Sequence, residues 1–163
     1  MVDRLWTPWR MAYIKGEERH TACIFCDFPG QDPSNDEANL ILARSDRSFV
    51  ILNKFPYNSG HLMVAPFRHT AEWETLSAEE LADVTRWSQR CIDALKITHA
   101  PQGFNVGVNQ GIPAGAGIAD HVHLHVVPRW GGDTNFMTTV GETKVLPESL
   151  EETYRRLKGH LAP

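Results

Sequence analysis

Five short apolar stretches, each bounded by turn-forming residues, predict five β-strands along the chain. They cover residues 40–43, 48–53, 61–65, 103–109 and 121–127. The first two flank Ser45-Asp46-Arg47, a spacing that is typical of a hairpin. Pro66 and Pro128 follow the third and fifth stretches, so we expect these strands to stop there.

A helical periodicity follows the third strand candidate. Ser77, with Glu80 three residues later, predicts a capping box at the start of a helix. We expect this helix to end near His99, before Pro101, and a last helix to span about residues 147–160. The positions that recur at helical spacing, and are therefore expected to be buried, are Leu81, Val84, Ser88, Cys91, Ile92 and Leu95.

The order of these elements predicts an α+β fold with an antiparallel five-stranded sheet, because doubly wound folds alternate strands with helices. The 163 residues fit one domain, placed at 1–163. Residues 1–20 carry Trp6, Trp9 and Tyr13, enough aromatic surface to predict an arm that packs on the body of the protein or on a second subunit. Residues 29–39 are predicted to form a surface loop.

Charge and composition narrow the classes of function. The net charge of −4, the pI near 6.0 and the scattered basic residues argue against nucleic-acid binding. No apolar run approaches the ~18 residues of a membrane span. Charged side chains within the first 20 residues exclude a secretory apolar segment. We therefore expect a cytoplasmic protein that binds neither nucleic acid nor a membrane.

Three histidines, His121, His123 and His125, alternate with apolar residues in the last predicted strand. Alternation would place the imidazoles on one face and the apolar side chains on the core face. At a rise of ~3.3 Å per residue, the first and third histidines would lie about 13 Å apart, so one metal ion could bind two neighbours but hardly all three. We therefore expect the three histidines to have more than one role.

Imidazole suits covalent transfer of a phosphoryl or nucleotidyl group, because its neutral form is nucleophilic at cellular pH and the phosphoramidate can be discharged. Flanking histidines can orient the nucleophile, neutralise phosphate oxygens or protonate a leaving group. The glycine-rich loop at 111–117 has no side-chain bulk to keep its amides from an anion. These residues leave alternatives open. For the three histidines the alternatives are surface residues or a purely metal-binding triplet, and for the glycine-rich loop the alternative is a plain tight turn.

The run from His121 to Val127 has the form His-φ-His-φ-His-φ-φ, where φ is apolar. It resembles the signature of the histidine triad (HIT) superfamily of nucleotide hydrolases and transferases. Residues 53–66 are similar to the family's substrate motif, and residues 109–111 to the stretch before the triad. The flanks at 5–10 and 128–136 resemble a bacterial branch that includes diadenosine tetraphosphate phosphorylases. Gly117 stands where some relatives carry Gln or Ser, so substrate and rate do not carry over directly.

The resemblance implies a HIT-like fold and a nucleotidyl-histidine formed at His123. It further implies that His125 binds phosphate oxygens, that His61 orients the neighbours of the nucleophile, and that Asn53 bonds ribose hydroxyls. An ordinary turn or strand-end role is the alternative for Asn53 and for Gln110. The remaining implied contacts are Phe25 and Ile51 against adenine, and Gln110 with the backbone of Gly115, Ala116 and Gly117 against the polyphosphate.

The implied substrates are adenine nucleotides, above all dinucleoside polyphosphates, with AMP passed to inorganic phosphate or to water. The alternative functions are those of an adenosine phosphoramidase and of a zinc-stabilised nucleotide-binding module with little turnover. Relatives are commonly dimers with sheets joined edge to edge, so the resemblance also implies a homodimer.

Two of the three cysteines, Cys23 and Cys26, form a CxxC motif. In a reducing compartment this spacing indicates metal or redox chemistry more than a structural disulfide. A tetrahedral zinc site needs two more ligands, and the resemblance implies His69 and His121. Four protein ligands leave no open position, so this zinc would be structural. A redox dithiol and unliganded cysteines are the alternatives, and Cys91 is expected in the core.

Overall fold

The computed structural model describes residues 23–134 and 147–161. The predicted arm at 1–20 lies outside the described residues. Five strands form one antiparallel sheet in the order β1-β2-β3-β5-β4. Their bounds are β1 Ile41–Arg44, β2 Ser48–Leu52, β3 Leu62–Pro66, β4 Gly103–Val108 and β5 Leu124–Arg129. The predicted α+β class and the five-stranded antiparallel sheet are confirmed.

The described residues form three α-helices, α1 (Ile24–Gly30), α2 (Ala78–His99) and α3 (Leu150–Leu161). The predicted capping box at the start of α2 is present: Ser77 and Glu80 each accept the other's backbone N–H through their side chains. Helix α3 begins three residues later than predicted, where the Ser149 hydroxyl accepts the backbone N–H of Glu152 at 3.2 Å. No helix among the described residues has the length and apolar character needed to cross a bilayer.

The sheet separates two cores. Helix α2 packs across β2, β3 and β5, and α3 packs against β1 on the same face. On the opposite face, α1 contributes Phe25 to a smaller apolar cluster with Phe49, Ile51 and Met63. Because Met63 pairs with His125 in the sheet register, the His125 side chain lies on this second face. Leu124 and Val126 point to the helix-covered core, as the alternation predicts.

The fifth strand differs from its predicted bounds of 121–127 at both ends. It begins at Leu124 because the preceding backbone bonds elsewhere: the N–H of Val122 donates to the carbonyl of Thr70 at 2.7 Å. It runs through Pro128 because β3 pairs with β5 only as far as Val126. Beyond that point the missing proline N–H costs no ladder bond, and the Pro128 carbonyl accepts from the Asn58 side chain at 2.9 Å.

Candidate functional site

Four side chains predicted as metal ligands converge from distant parts of the chain. Cys23 is the N-cap of α1, Cys26 lies in its first turn, His69 follows β3, and His121 precedes β5. The four candidate ligand atoms all lie within 4.8 Å of one another. The Nδ1 atom of His121 is 3.4 Å from Cys23 Sγ, 3.5 Å from Cys26 Sγ and 3.3 Å from the Nδ1 of His69.

The three distances from Nδ1 of His121 fit a tetrahedral zinc ion. Zn–S bonds of about 2.3 Å and Zn–N bonds of about 2.0–2.1 Å require ligand atoms roughly 3.3–3.8 Å apart. The Nε2–H of His121 donates to the carbonyl of Pro66 at 2.9 Å, which leaves Nδ1 with its lone pair towards the other ligands. Burial lowers the pKa of His121, which favours the neutral ring that a metal ligand needs. The residues therefore fit a structural, four-coordinate zinc site.

The next histidine, His123, is almost fully buried and held in one tautomer. Its Nδ1 lies 2.8 Å from the carbonyl oxygen of His121, and a carbonyl can only accept, so Nδ1 carries the proton. Burial lowers the pKa of His123, which favours the neutral ring. In that ring Nε2 carries the lone pair that a nucleophile requires.

The third histidine, His125, is held in the opposite tautomer by a chain of hydrogen bonds. The backbone N–H of Tyr57 donates to Nδ1 of His61 at 3.1 Å, so in a neutral His61 ring the proton is on Nε2. That Nε2 lies 2.9 Å from Nδ1 of His125, which therefore accepts. In a neutral His125 ring the proton is then on Nε2. His123 and His125, with ring centroids 4.7 Å apart, thus present an acceptor and a donor.

Asn53 lies beside this chain of hydrogen bonds. Its Nδ2 is 3.3 Å from Nδ1 of His61, and its Oδ1 accepts the backbone N–H of Phe55 at 2.9 Å. The side chain is half-buried, at the end of β2. The structure therefore brings Asn53, His61, His123 and His125 together.

The two predicted adenine contacts are covered in this structure. Phe25 is 0% exposed and Ile51 is 2% exposed. The ring of Phe25 packs 4.6 Å from the ring of His123 and 5.4 Å from that of His121, centroid to centroid. Phe25 therefore packs beneath the histidines, and Ile51 lies in the same apolar cluster.

The glycine-rich loop is held by its own hydrogen bonds. The amides of Gly115 and Ala116 donate to the carbonyls of Ile112 and Gly111, at 2.9 and 3.2 Å. Gly117 lies exposed at the end of the loop. Gln110, which precedes the loop, accepts from the backbone of Trp73 at 3.1 Å and donates to Glu74 at 3.0 Å. Gln110 therefore joins the loop to the segment that follows His69.

The sequence did not indicate the backbone groups that set the tautomers. The N–H of Tyr57 and the carbonyls of Pro66 and His121 act irrespective of residue type, so no motif marks them. The ring of Tyr57 also stacks on that of His61, with centroids 4.7 Å apart. The position of Tyr57 in the turn that precedes β3 is the feature of the sequence that could have indicated this contact.

The chain is similar in sequence to known proteins. Residues 35–132 match the model of the HIT domain. The chain is 43% identical over 161 residues to a Mycobacterium tuberculosis protein named AP-4-A phosphorylase, covering 96% of this chain and 83% of that protein. It is 30% identical over 135 residues to an uncharacterized HIT-like protein of Mycoplasma genitalium, covering 83% of this chain and 91% of the relative.

The solved structure of a zinc-bound protein shares the fold of this chain. The crystal structure of a zinc-bound histidine triad family protein from Mycobacterium smegmatis superimposes with a TM-score of 0.67 at 27% identity, covering 85% of this chain and 92% of that one. The residues that match the HIT domain, 35–132, include the three histidines and the five strands described above. The chain belongs to the HIT domain family.

Proposed function

We propose that this protein cleaves dinucleoside polyphosphates such as diadenosine tetraphosphate through a covalent AMP on Nε2 of His123. The observation that carries the proposal is the pair of opposite tautomers held side by side: an unprotonated Nε2 on His123 and a protonated Nε2 on His125. The 43% identity to the mycobacterial AP-4-A phosphorylase supports this substrate class.

In the first step, the Nε2 lone pair of His123 attacks the α-phosphorus. The new P–N bond forms as the bond from phosphorus to the bridging oxygen breaks. AMP stays on His123, and the remainder of the diadenosine tetraphosphate leaves as ATP. The Nε2–H of His125 hydrogen-bonds a phosphate oxygen on which charge builds up. The carbonyl of His121 stabilises the positive charge that the His123 ring acquires, because it accepts the Nδ1–H throughout.

In the second step, an oxygen of inorganic phosphate or of water attacks the same phosphorus and the P–N bond breaks, while the proton of the attacking oxygen is released to solvent. Phosphate yields ADP and water yields AMP, and the electron pair of the broken bond returns to Nε2 of His123. Asn53 binds the ribose hydroxyls in this proposal. Gln110 and the loop at Gly115–Gly117 contact the polyphosphate, with Gln110 released from Trp73 and Glu74 as the nucleotide binds.

The Cys23, Cys26, His69 and His121 cluster holds a structural zinc in this proposal. With four protein ligands, the ion supplies no chemistry to the substrate. Its contribution is to fix the position of His121, whose carbonyl sets the tautomer of His123.

The test is incubation with diadenosine tetraphosphate, with and without inorganic phosphate, followed by chromatography of the nucleotides. ATP and ADP formed only with phosphate identify a phosphorylase, and ATP and AMP identify a hydrolase. Mass spectrometry after a neutral quench should find AMP on the peptide that carries His123. His123→Asn should abolish turnover and adduct, whereas His160→Asn, at an exposed position on α3, should leave both unchanged.

Two results would contradict the proposal. Equal turnover by wild type and His123→Asn would remove His123 from the chemistry. Nucleotide binding without adduct or products, for diadenosine polyphosphates and adenosine phosphoramidates alike, would identify a binding module.

A further inference from the structure

Phe25 connects the metal cluster to the nucleophile. It stands between Cys23 and Cys26 in the sequence, on the first turn of α1. Its ring is fully buried and packs against the rings of His121 and His123 at 5.4 and 4.6 Å. One side chain of the CxxC motif therefore contacts both a cluster ligand and the residue that attacks phosphorus.

The ring of His123 depends on this contact for its orientation. A single hydrogen bond, from Nδ1 to the carbonyl of His121, fixes one edge of the ring. Phe25 packs on it at 4.6 Å and His125 at 4.7 Å, centroid to centroid. A half-turn about the Cβ–Cγ bond would exchange Nδ1 with Cδ2 and Nε2 with Cε1, which breaks the bond to the His121 carbonyl and moves Nε2 away from its attacking position. Close-packed rings on His123 oppose that half-turn.

Helix α1 cannot hold Phe25 in place by itself. It has seven residues, including Pro29, and helices shorter than about 12–15 residues are marginal in water without tertiary contacts. Its N-cap, Cys23, makes no side-chain capping bond. The helix is held by its two cysteines in the cluster and by the packing of Phe25 against Phe49 and the β2–β3 face.

We infer that Phe25 is a positioning residue, through which the Cys and His cluster holds the imidazole ring of His123 in its attacking orientation. This inference rests on the proposed function for its kinetic consequences, but its structural consequence is visible without substrate. It differs from the role expected from the family resemblance, in which Phe25 is a wall for adenine. A positioning role predicts that replacing Phe25 lowers kcat, whereas an adenine wall predicts that it raises KM.

The test compares wild type with Phe25→Leu and with a matched control, Phe67→Leu. Phe67 packs against the same apolar cluster, and its ring stacks on that of Phe49. Each variant is measured for zinc content, thermal unfolding, kcat and KM. Nitrogen-15 NMR of the imidazole rings in the substrate-free protein reports the tautomer of His123. Phe25→Met, whose flexible side chain adapts to an irregular space, replaces Phe25→Leu if the latter does not fold.

We expect Phe25→Leu to lower kcat by about ten- to a hundredfold with KM within about twofold, because small misplacements of a reacting group cost rates of this order. The NMR spectrum should show His123 in mixed tautomers, with zinc retained. Phe67→Leu should lower the unfolding temperature while keeping kcat and the His123 tautomer.

A raised KM with unchanged kcat would overturn the inference in favour of the adenine wall. Equal losses of kcat in both variants, with the His123 tautomer unchanged, would also overturn it. If wild type turns over no adenylyl substrate, the proposed function fails, whereas the tautomer comparison still decides the role of Phe25.

Discussion

Nε2 of His61 lies 2.9 Å from Nδ1 of His125, with both rings buried, and this contact fixes which nitrogen of His125 can donate to a ligand. The direction comes from the backbone N–H of Tyr57, which can only donate to the other nitrogen of His61. The main chain of one turn therefore determines the chemistry of a side chain on β5.

Replacing His61 should break this chain of hydrogen bonds. His61→Phe removes both ring nitrogens while keeping a buried ring, so His125 becomes free to take either tautomer. We expect kcat to fall by about a hundredfold, comparable with the loss of one preorganised donor. Steady-state kinetics with diadenosine tetraphosphate measures the effect, after circular dichroism has confirmed folding.

The same replacement at His160, an exposed position on α3, is the control and should retain wild-type kcat. Wild-type turnover by folded His61→Phe would show that the tautomer of His125 is set by another contact.

Removing a cluster ligand should release the metal. We expect purified wild type to hold about one zinc per chain, and Cys23→Ser to lose it together with part of its thermal stability. Elemental analysis and thermal unfolding measure the two effects. Cys91→Ala should keep its zinc, because Cys91 lies in the other core, on α2.

Alkylation by iodoacetamide gives an independent readout of the same site. Chelation should make Cys23 and Cys26 reactive, but Cys91 should stay protected in the folded protein, because burial raises its pKa to about 12. Less than about half an equivalent of zinc in wild type, with Cys23→Ser unaltered, would exclude the four-ligand site.

The ion pair between Arg68 and Glu80 should contribute to stability in a defined pH range. Hydrogen bonds from Arg68 lower the pKa of Glu80 from 4.5 to about 2. A carboxylate whose pKa is lowered by folding stabilises the protein above its unfolded pKa, and this contribution is lost as pH falls from 4.5 towards about 2. Arg68→Ala should therefore lower the urea midpoint at neutral pH, and the difference from wild type should shrink over that range.

Lys96→Ala is the matched control, because its ion pair with Asp93 is exposed on α2 and stabilises little. Its urea midpoint should follow that of wild type at every pH. A difference between Arg68→Ala and wild type that stays constant down to pH of about 2 would show that Glu80 is not the group responsible.

The sequence predicted the parts of this protein that depend on side-chain pattern. The five strands, the capped helix α2 and the residues of the metal cluster follow from periodicity, turn residues and the family resemblance. The seven residues of α1 are too few for a periodicity to emerge, and Pro29 argues against a helix. The start of β5 depends on where the N–H of Val122 bonds, a contact with Thr70 that lies across the fold.

The roles of individual site residues depend even more on distant contacts. The pattern at 121–125 predicted three imidazoles with unequal tasks, but their tautomers are set by main-chain groups of Pro66, Tyr57 and His121. Phe25 was expected at a ligand surface; it is buried against the rings of His121 and His123, and its contact with adenine stays a prediction. The predicted homodimer, the ribose contact of Asn53 and the polyphosphate contacts of Gln110 stay predictions.

The metal cluster joins residues that are far apart along the chain, since Cys23 and His121 are separated by 98 positions. A metal ion bound here would act as a reversible crosslink, whose ligands come together only when β3, β5 and α1 are all in place. Metal binding would then be coupled to folding, and the stability gained would grow with the logarithm of the free metal concentration. With the proposed zinc, the fraction of folded chains would therefore depend on the free zinc concentration as well as on the sequence.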